Sequence, residues 1–289
     1  MKILISIASY REKELLNTVK SFYDDSSNKE NLLFAIVSQD DDHPDLSFID
    51  PERLHYTQVH WKDTFGVNWA RHIAQKAFTE FDYYLQLDSH MFSEKDWDLK
   101  LIDSFNKAKL LCEKPVLTCY AAMYRVENNE RIVGPVISNG CSDISGLVWS
   151  QGTWPNHRSD VKGIGTTNYI NAAVVFSTKD FVDEVPYDPN LTFFHEEISL
   201  TMRAEAAGFT PVCIVSPIFY HFFAPDRIKE SRNYNPLWGN SSADHTNFSA
   251  IHDIEYSKKV LSGESTGPYA IDKETINNFS TRNNLIIKP

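Results

Sequence analysis

Tyr83-Tyr84-Leu85-Gln86-Leu87-Asp88-Ser89-His90 joins a hydrophobic run to a carboxylate and an imidazole two residues apart. Asp82 to Leu87 is an apolar run of strand length that delivers a carboxylate at its end. Three more runs precede it. Ile3 to Ala8 reads as a buried strand followed by a polar turn, Ser9-Tyr10-Arg11-Glu12. Leu32 to Val37 is a second strand that opens into Gln39-Asp40-Asp41-Asp42, and Leu54 to Val59 is a third. Between them, Leu15, Leu16, Val19 and Phe22 recur at helical spacing, and Trp69 to Phe78 reads as another helix. Strands alternating with helices predict an α/β fold with a mixed, mostly parallel sheet and right-handed crossovers. In such sheets ligands sit beyond the carboxyl ends of the strands, where the polar residues after the first, second and fourth strands fall.

Downstream, Lys114 to Tyr120 and Tyr169 to Ser177 read as strands. A helix from Glu196 to Ala207 stops at Gly208, a suitable C′ glycine. Pro211 to Ser216 is a further strand, with Tyr220-His221-Phe222 just after it. Residues 224–250 look loop-like, Ile251 to Leu261 is a final helix, and the Ser/Thr/Asn-rich stretch from Ser262 is expected to be peripheral. The expected organisation is one domain over residues 1–261 and a tail over 262–289.

Composition narrows the function. Lys and Arg total 28 against 39 Asp and Glu, a net charge of −11, which argues against a surface built to grip nucleic acid. No apolar run approaches the roughly 20 residues needed to span a bilayer. Cys112, Cys119, Cys141 and Cys213 are scattered without a CxxC pair, as expected of reduced thiols in a cytoplasmic protein. There is no GxGxxG, GxxxxGK[ST] or GxSxG motif, so the common dinucleotide, P-loop and hydrolase readings lose their support. The oligomeric state is not legible.

The chemistry-bearing residues cluster at few places. In an extended chain Asp88 and His90 project to the same side, and a carboxylate with a neutral imidazole suits a divalent ion such as Mn²⁺. The plainer alternative is an Asp that caps the next helix beside an exposed His. His195-Glu196-Glu197 opens the helix that carries Arg203. Glu196 and Arg203 are seven apart and share a face, while Glu197 leaves about 100° away. Acids here also simply favour a helix N-terminus, and His221 also reads as a satisfied core histidine.

In combination, Ile7-Ala8-Ser9-Tyr10-Arg11, Ala70-Arg71, Asp88-Ser89-His90, Trp97-Asp98, Lys114 to Thr118, Pro186-Tyr187-Asp188-Pro189, Glu196 through Arg203 and Tyr220-His221-Phe222 resemble one family. It is that of the retaining polypeptide α-N-acetylglucosaminyltransferases of the hydroxyproline-modifying type, and it is distantly similar to the mucin-type polypeptide GalNAc-transferases. The resemblance covers residues 1–225. It implies a GT-A glycosyltransferase fold, a single Rossmann-like nucleotide-diphospho-sugar domain, with a UDP-sugar donor and a Mn²⁺-type cofactor.

Position by position, the resemblance makes Asp88 and His90 a variant DxD motif and His221 the third metal ligand. It puts Glu196 on the sugar, and Arg203 as the group that orients it or closes the donor site. Ser9, Tyr10, Arg11, Gln39, Asp63 and Ser89 fall on the nucleotide and donor side, and Arg71 is expected to approach the diphosphate or the sugar. Arg227 and Arg232 add candidate positive charge. The chain departs from its relatives at His195, where they usually carry Gly. The function implied is transfer of GlcNAc or a related sugar to a protein or glycan hydroxyl with retention. A catalytically inactive UDP-sugar-binding protein and a metal-dependent hydrolase on a similar fold are the alternatives.

Overall fold

A computed structural model describes residues 1–119, 121–128, 130–133, 148–150, 158–161, 164–193, 195–214, 216–222, 246–283 and 285–287. The first half holds β1 (Ile3–Tyr10), α1 (Leu15–Asp24), β2 (Leu32–Gln39), β3 (Leu54–Val59), α2 (Val67–Ala74), β4 (Tyr83–Asp88), β5 (Met91–Ser93) and α3 (Trp97–Ala108). There follow β6 (Pro115–Thr118), β7 (Ala122–Glu127), β8 (Glu130–Val133), β9 (Val148–Ser150), β10 (Arg158–Val161), β11 (Ile164–Thr166) and β12 (Val174–Thr178). The chain continues through α4 (Lys179–Glu184), α5 (Glu196–Ala206), β13 (Thr210–Ile214), β14 (Phe219–Phe222), α6 (Thr246–Leu261), α7 (Lys273–Arg282) and β15 (Leu285–Ile287).

Among the described residues, nine strands form one sheet in the order β10-β11-β13-β6-β12-β4-β1-β2-β3. Neighbours β4, β1, β2 and β3 run parallel, as do β6 and β13. β12 is antiparallel to both β4 and β6, and β11 is antiparallel to both β13 and β10. Reversal of β12 and β11 makes the sheet mixed, as expected.

Side-chain alternation explains the layers. Ile3, Ile5, Ile7, Leu32, Phe34, Ile36, Leu85 and Leu87 all point to one face, where they meet α1 and α3. Leu4, Leu33, Ala35, Val37 and Tyr84 point to the other, against Ala70 and Ala74 of α2, Phe181 of α4 and Leu200 of α5. Near-continuous apolar strands are what a sheet covered on both sides requires. Trp97 anchors α3, with its indole Nε1–H donating to Phe22 O at 2.9 Å.

A smaller sheet, β5-β14-β7-β8, joins the large one where β4 passes through Ser89-His90 into β5. β5 pairs antiparallel with β14, with His221 opposite Met91, and the Phe222 N–H donates to His90 O at 2.8 Å. That register carries His221 to the end of β4.

Four expectations change. β1 extends through Tyr10 and stops at Arg11, whose φ is +48°. Tyr169 to Ala173 is not strand: side chains take its backbone N–H groups instead. Thr201 Oγ1 accepts from Ile170, Thr118 Oγ1 from Asn171, Glu197 Oε1 from Ala172 and Asn171 Oδ1 from Ala173, at 2.7–3.0 Å. With the ladder donors spent this way, the strand begins only at Val174. The segment after Ser262 is packed rather than peripheral. Ile271, Ile276, Phe279 and Leu285 are buried in one cluster with Val260, Ile198 and Met202, because α7 carries an apolar stripe that needs a partner. The region read as loop over 224–250 turns helical at Thr246, where α6 begins. Residues 223–245, with Arg227, Arg232 and the 233–245 stretch, lie outside the described residues, as does Cys141.

Candidate active site

Parity along β4 sets the site. Asp88 shares the register of Tyr84 and Gln86, so its side chain leaves the sheet on the face covered by α2 and α5. There it meets Arg71, which is 4% exposed and stands on α2. Arg71 donates from Nη2 to Asp88 Oδ1 at 3.2 Å and to Ala172 O at 3.2 Å, and from Nη1 to Glu196 Oε2 at 2.8 Å. Its guanidinium lies 5.4 Å from the Tyr187 ring centroid. The Tyr187 hydroxyl donates to Gln86 Oε1 at 2.5 Å, and Gln86 Nε2 donates to the same Ala172 carbonyl. The 169–173 bend therefore supplies the acceptor that orients Arg71.

On its other oxygen, Asp88 Oδ2 is 3.4 Å from His221 Nε2, and His221 Nε2 is 3.0 Å from His90 Nε2. Asp88, His90 and His221 offer ligand atoms that all lie within 4.8 Å of one another. The main chain that carries His90 is fixed by α1. Thr18 Oγ1 donates to Ser89 O at 3.0 Å and accepts from the Met91 N–H at 2.9 Å. Behind the ring, His90 Nδ1 lies 3.2 Å from Glu12 Oε2.

Electrostatics follows burial. Burial opposes the charge on Asp88, but the His221 hydrogen bond and Arg71 outweigh it and hold the carboxyl down at about 2. Burial pushes Glu196 up to about 7, against the pull of Arg71. Burial also lowers both His90 and His221, which keeps the imidazoles neutral with a lone pair to offer. One carboxylate and two neutral imidazoles, converging within a few ångströms, fit a divalent cation of the Mn²⁺ kind.

Glu197 leaves α5 in another direction, as its 100° offset requires. It accepts from the Ala172 N–H at 2.7 Å and from the Tyr169 hydroxyl, a structural clamp. Arg203 does not reach Glu196. Its Nη1 donates to Pro186 O at 2.6 Å and its guanidinium lies 5.7 Å from the Tyr269 ring centroid. Seven residues along a helix are about 10 Å, too far for a direct ion pair. Arg71 holds Glu196 instead. Arg71 points its terminal nitrogens at Glu196, Asp88 and Ala172 O, while its buried Nε has no hydrogen-bond partner among the described residues.

The rim beside Asp88 is built by β1 and β2, with Ala8 opposite Asp88 and Tyr10 opposite Gln39. Gln39 donates to Ser9 O at 3.1 Å and accepts from the Thr64 hydroxyl. Arg11 stacks over Trp61 at 4.5 Å, and Asp63 is exposed on the adjoining turn Trp61–Asp63. Ser9 Oγ and Tyr10 Oη are buried with no hydrogen-bond partner among the described residues. Gln86 and Tyr187 fall in stretches quoted from the sequence but were given no role of their own, Glu12 was read only as the acid that closes the Ser9-Tyr10-Arg11 turn, and Ala172 carried no signal.

His195 stands at φ +61°, ψ +6°, immediately before α5. This is the left-handed region that glycine enters freely, and a side chain there costs roughly 1 kcal/mol.

A family model described as Glycosyltransferase (GlcNAc) matches residues 45–247. No curated protein matches the chain. Among solved structures, one of GalNAc-T7 with UDP, GalNAc and Mn²⁺ superposes with a TM-score of 0.61 at 15% identity. The alignment covers 99% of this chain and 55% of that one. S. aureus TarS 1–349 superposes with a TM-score of 0.50 at 14% identity, covering 92% of this chain and 76% of that one. At these identities the likeness shows the fold, which is that of GT-A glycosyltransferases. The chain spans about half the length of the GalNAc-T7 chain.

Proposed function

The chain belongs to the GlcNAc glycosyltransferase family, and from that premise we propose that it transfers GlcNAc or a closely related sugar from a UDP-sugar to a hydroxyl of a protein or glycan, with retention. The observation that carries the reading is the junction at the end of β4. There a metal-binding set, Asp88, His90 and His221, adjoins a buried carboxylate, Glu196, through one shared arginine. The match of the family and the UDP, GalNAc and Mn²⁺ named for GalNAc-T7 support the donor class. The hydroxyproline-modifying subtype rests on the sequence resemblance, and a cytoplasmic setting rests on the scattered thiols.

Asp88, His90 and His221 would hold the divalent cation, which would supply Lewis-acid stabilisation to the leaving diphosphate. Ser9 and Tyr10 offer buried hydroxyls, and Arg11, Gln39 and Asp63 the polar rim, to the nucleotide. Ser89 fixes the bend between Asp88 and His90 through its carbonyl. Glu196 accepts hydrogen bonds from the donor sugar and faces positive charge as it develops at the anomeric carbon. Arg71 keeps Glu196 in place and Asp88 ionised, and Arg203 braces the helix that carries Glu196. In the front-face reaction the acceptor oxygen bonds to the anomeric carbon as the carbon–oxygen bond to phosphate breaks. The acceptor proton passes to the β-phosphate, so no enzyme nucleophile is needed.

A screen of UDP-sugars with Mn²⁺ over peptide and glycan acceptors, read by mass spectrometry, tests the proposal. Acceptor-dependent UDP release is expected. UDP release that is equally fast without acceptor points to hydrolysis, and binding with no release to an inactive binder. Anomeric proton coupling in the product decides whether the new linkage is α.

A further inference from the structure

The His90 ring has two ends, and only one of them faces the metal-binding set. Its Nε2 looks at His221 and, beyond it, Asp88, whereas Nδ1 lies 3.2 Å from Glu12 Oε2. Glu12 is itself held: its Oε1 accepts from the Glu14 N–H at 2.9 Å, at the entry to α1, and its side chain is only 13% exposed. It sits on the far side of the ring from Nε2, so it cannot join the ligand set. The contact is one of charge at 3.2 Å and not an aligned hydrogen bond, and a carboxylate, which only accepts, favours the hydrogen of a neutral imidazole on the nitrogen it faces. The other nitrogen then presents its lone pair to the cation, and turning the ring would set that lone pair against the carboxylate. Helix α1 thus controls His90 twice, through Thr18 on the backbone and Glu12 on the ring.

We propose that Glu12 is a positioning residue for the cation site, holding His90 with Nδ1–H towards α1 and the Nε2 lone pair towards Asp88 and His221. The proposal rests on the metal reading of Asp88, His90 and His221. Such carboxylate partners behind a metal-binding histidine are worth roughly 10- to 100-fold in metal affinity. Glu12→Ala is therefore expected to weaken Mn²⁺ binding by that factor, measured by calorimetry on the full chain with UDP present. Glu12→Gln keeps an acceptor oxygen and is expected to retain affinity within a few-fold. Glu14→Gln removes a nearby charge but not the Glu12–His90 contact, and should bind Mn²⁺ like the parent.

The parent protein offers a second readout that needs no variant to fold. Nitrogen-15 NMR of neutral His90 should show Nδ1 protonated and Nε2 bare. If the parent binds Mn²⁺ and folded Glu12→Ala binds it equally well, the inference is overturned while the metal site stands. An Nε2-protonated His90 overturns it as well. A parent that binds no Mn²⁺ overturns the metal reading and the inference with it.

Discussion

Arg71 Nη1 lies 2.8 Å from Glu196 Oε2, and both groups are buried, at 4% and 8% exposure. The pair joins α2 to α5 across 125 residues of sequence. Because the same guanidinium also holds Asp88, it ties Glu196 to the cluster of Asp88, His90 and His221.

Removing this arginine strands the buried Glu196 carboxylate and takes one of the partners of half-buried Asp88. Arg71→Ala is expected to cost about 3–5 kcal/mol, read from urea denaturation. The double variant Arg71→Ala/Glu196→Gln should cost clearly less than the two single changes added together, because the stranded Glu196 charge has gone. Additive effects would mean that the two residues do not interact.

Glu196 and Glu197 should fail differently. Glu196→Gln is expected to lower kcat by roughly ten- to a hundredfold, the worth of a charged hydrogen bond made in the transition state, with UDP and Mn²⁺ affinity nearly intact. Glu197→Ala strips the Ala172 N–H and the Tyr169 hydroxyl of their acceptor and should cost about 1–3 kcal/mol of stability. Initial rates and thermal melts on both variants check this. A normal kcat in Glu196→Gln removes Glu196 from the chemistry.

The pH dependence of stability has a sign that can be worked out. Glu196 has its carboxyl raised from 4.5 to about 7 in the folded chain, so folding favours its protonated form. Its contribution is full below pH 4.5 and fades as the pH rises through about 7. Asp88 runs the other way: lowered to about 2, it contributes above the ordinary value of 3.8 and is lost as the pH falls through about 2. Melting temperature followed from pH 4.5 to 7 should therefore decline less in Glu196→Gln than in the parent. Parallel profiles would contradict the raised carboxyl.

Exhaustive chelation should abolish transfer, and Mn²⁺ should restore it. His221→Ala is expected to raise the Mn²⁺ concentration needed for half-maximal rate at least about tenfold, with partial rescue at high Mn²⁺ because Asp88 and His90 remain. Full activity after chelation would exclude the cation from the reaction.

Gly66 stands at φ +101°, and a Cβ there would lie 2.4 Å from Thr192 O, the acceptor of the Val67 N–H. Gly66→Ala should cost at least about 2 kcal/mol in a denaturation measurement, as backbone strain and collision combine. Gly208, at φ +82° with open space around it, provides the contrast. Gly208→Ala should cost about 1 kcal/mol from strain alone.

The central strands were legible because a strand buried on both faces must be almost wholly apolar, as Leu32 to Val37 and, but for Ser6, Ile3 to Ala8 are. Asp88 and His90 were legible by their spacing at a strand end. His221 was placed only through the family resemblance, because its arrival depends on the pairing of β14 with β5. The direction of β12 leaves no mark in composition, and the Tyr169–Ala173 bend depends on side chains from distant elements. Arg203 was given to Glu196 or to closure of the donor site by the resemblance, and a shared helical stripe agreed with the first of these. Periodicity gives the stripe but not the distance along it, and the partner that fits, Arg71, comes from another helix.

The rear of α5 has a consequence for how the protein is made. Ile198 and Met202 lie behind Glu196 and share their cluster with Ile276, Phe279 and Leu285. During synthesis β1 to β4 emerge first, and the helix that bears Glu196, though it has the sheet on one side, lacks part of its cover on the other until residues 276–285 have left the ribosome. Nascent chains arrested before that point should bury β1 to β4 yet remain open to protease around residue 196, so the site is completed only late in translation.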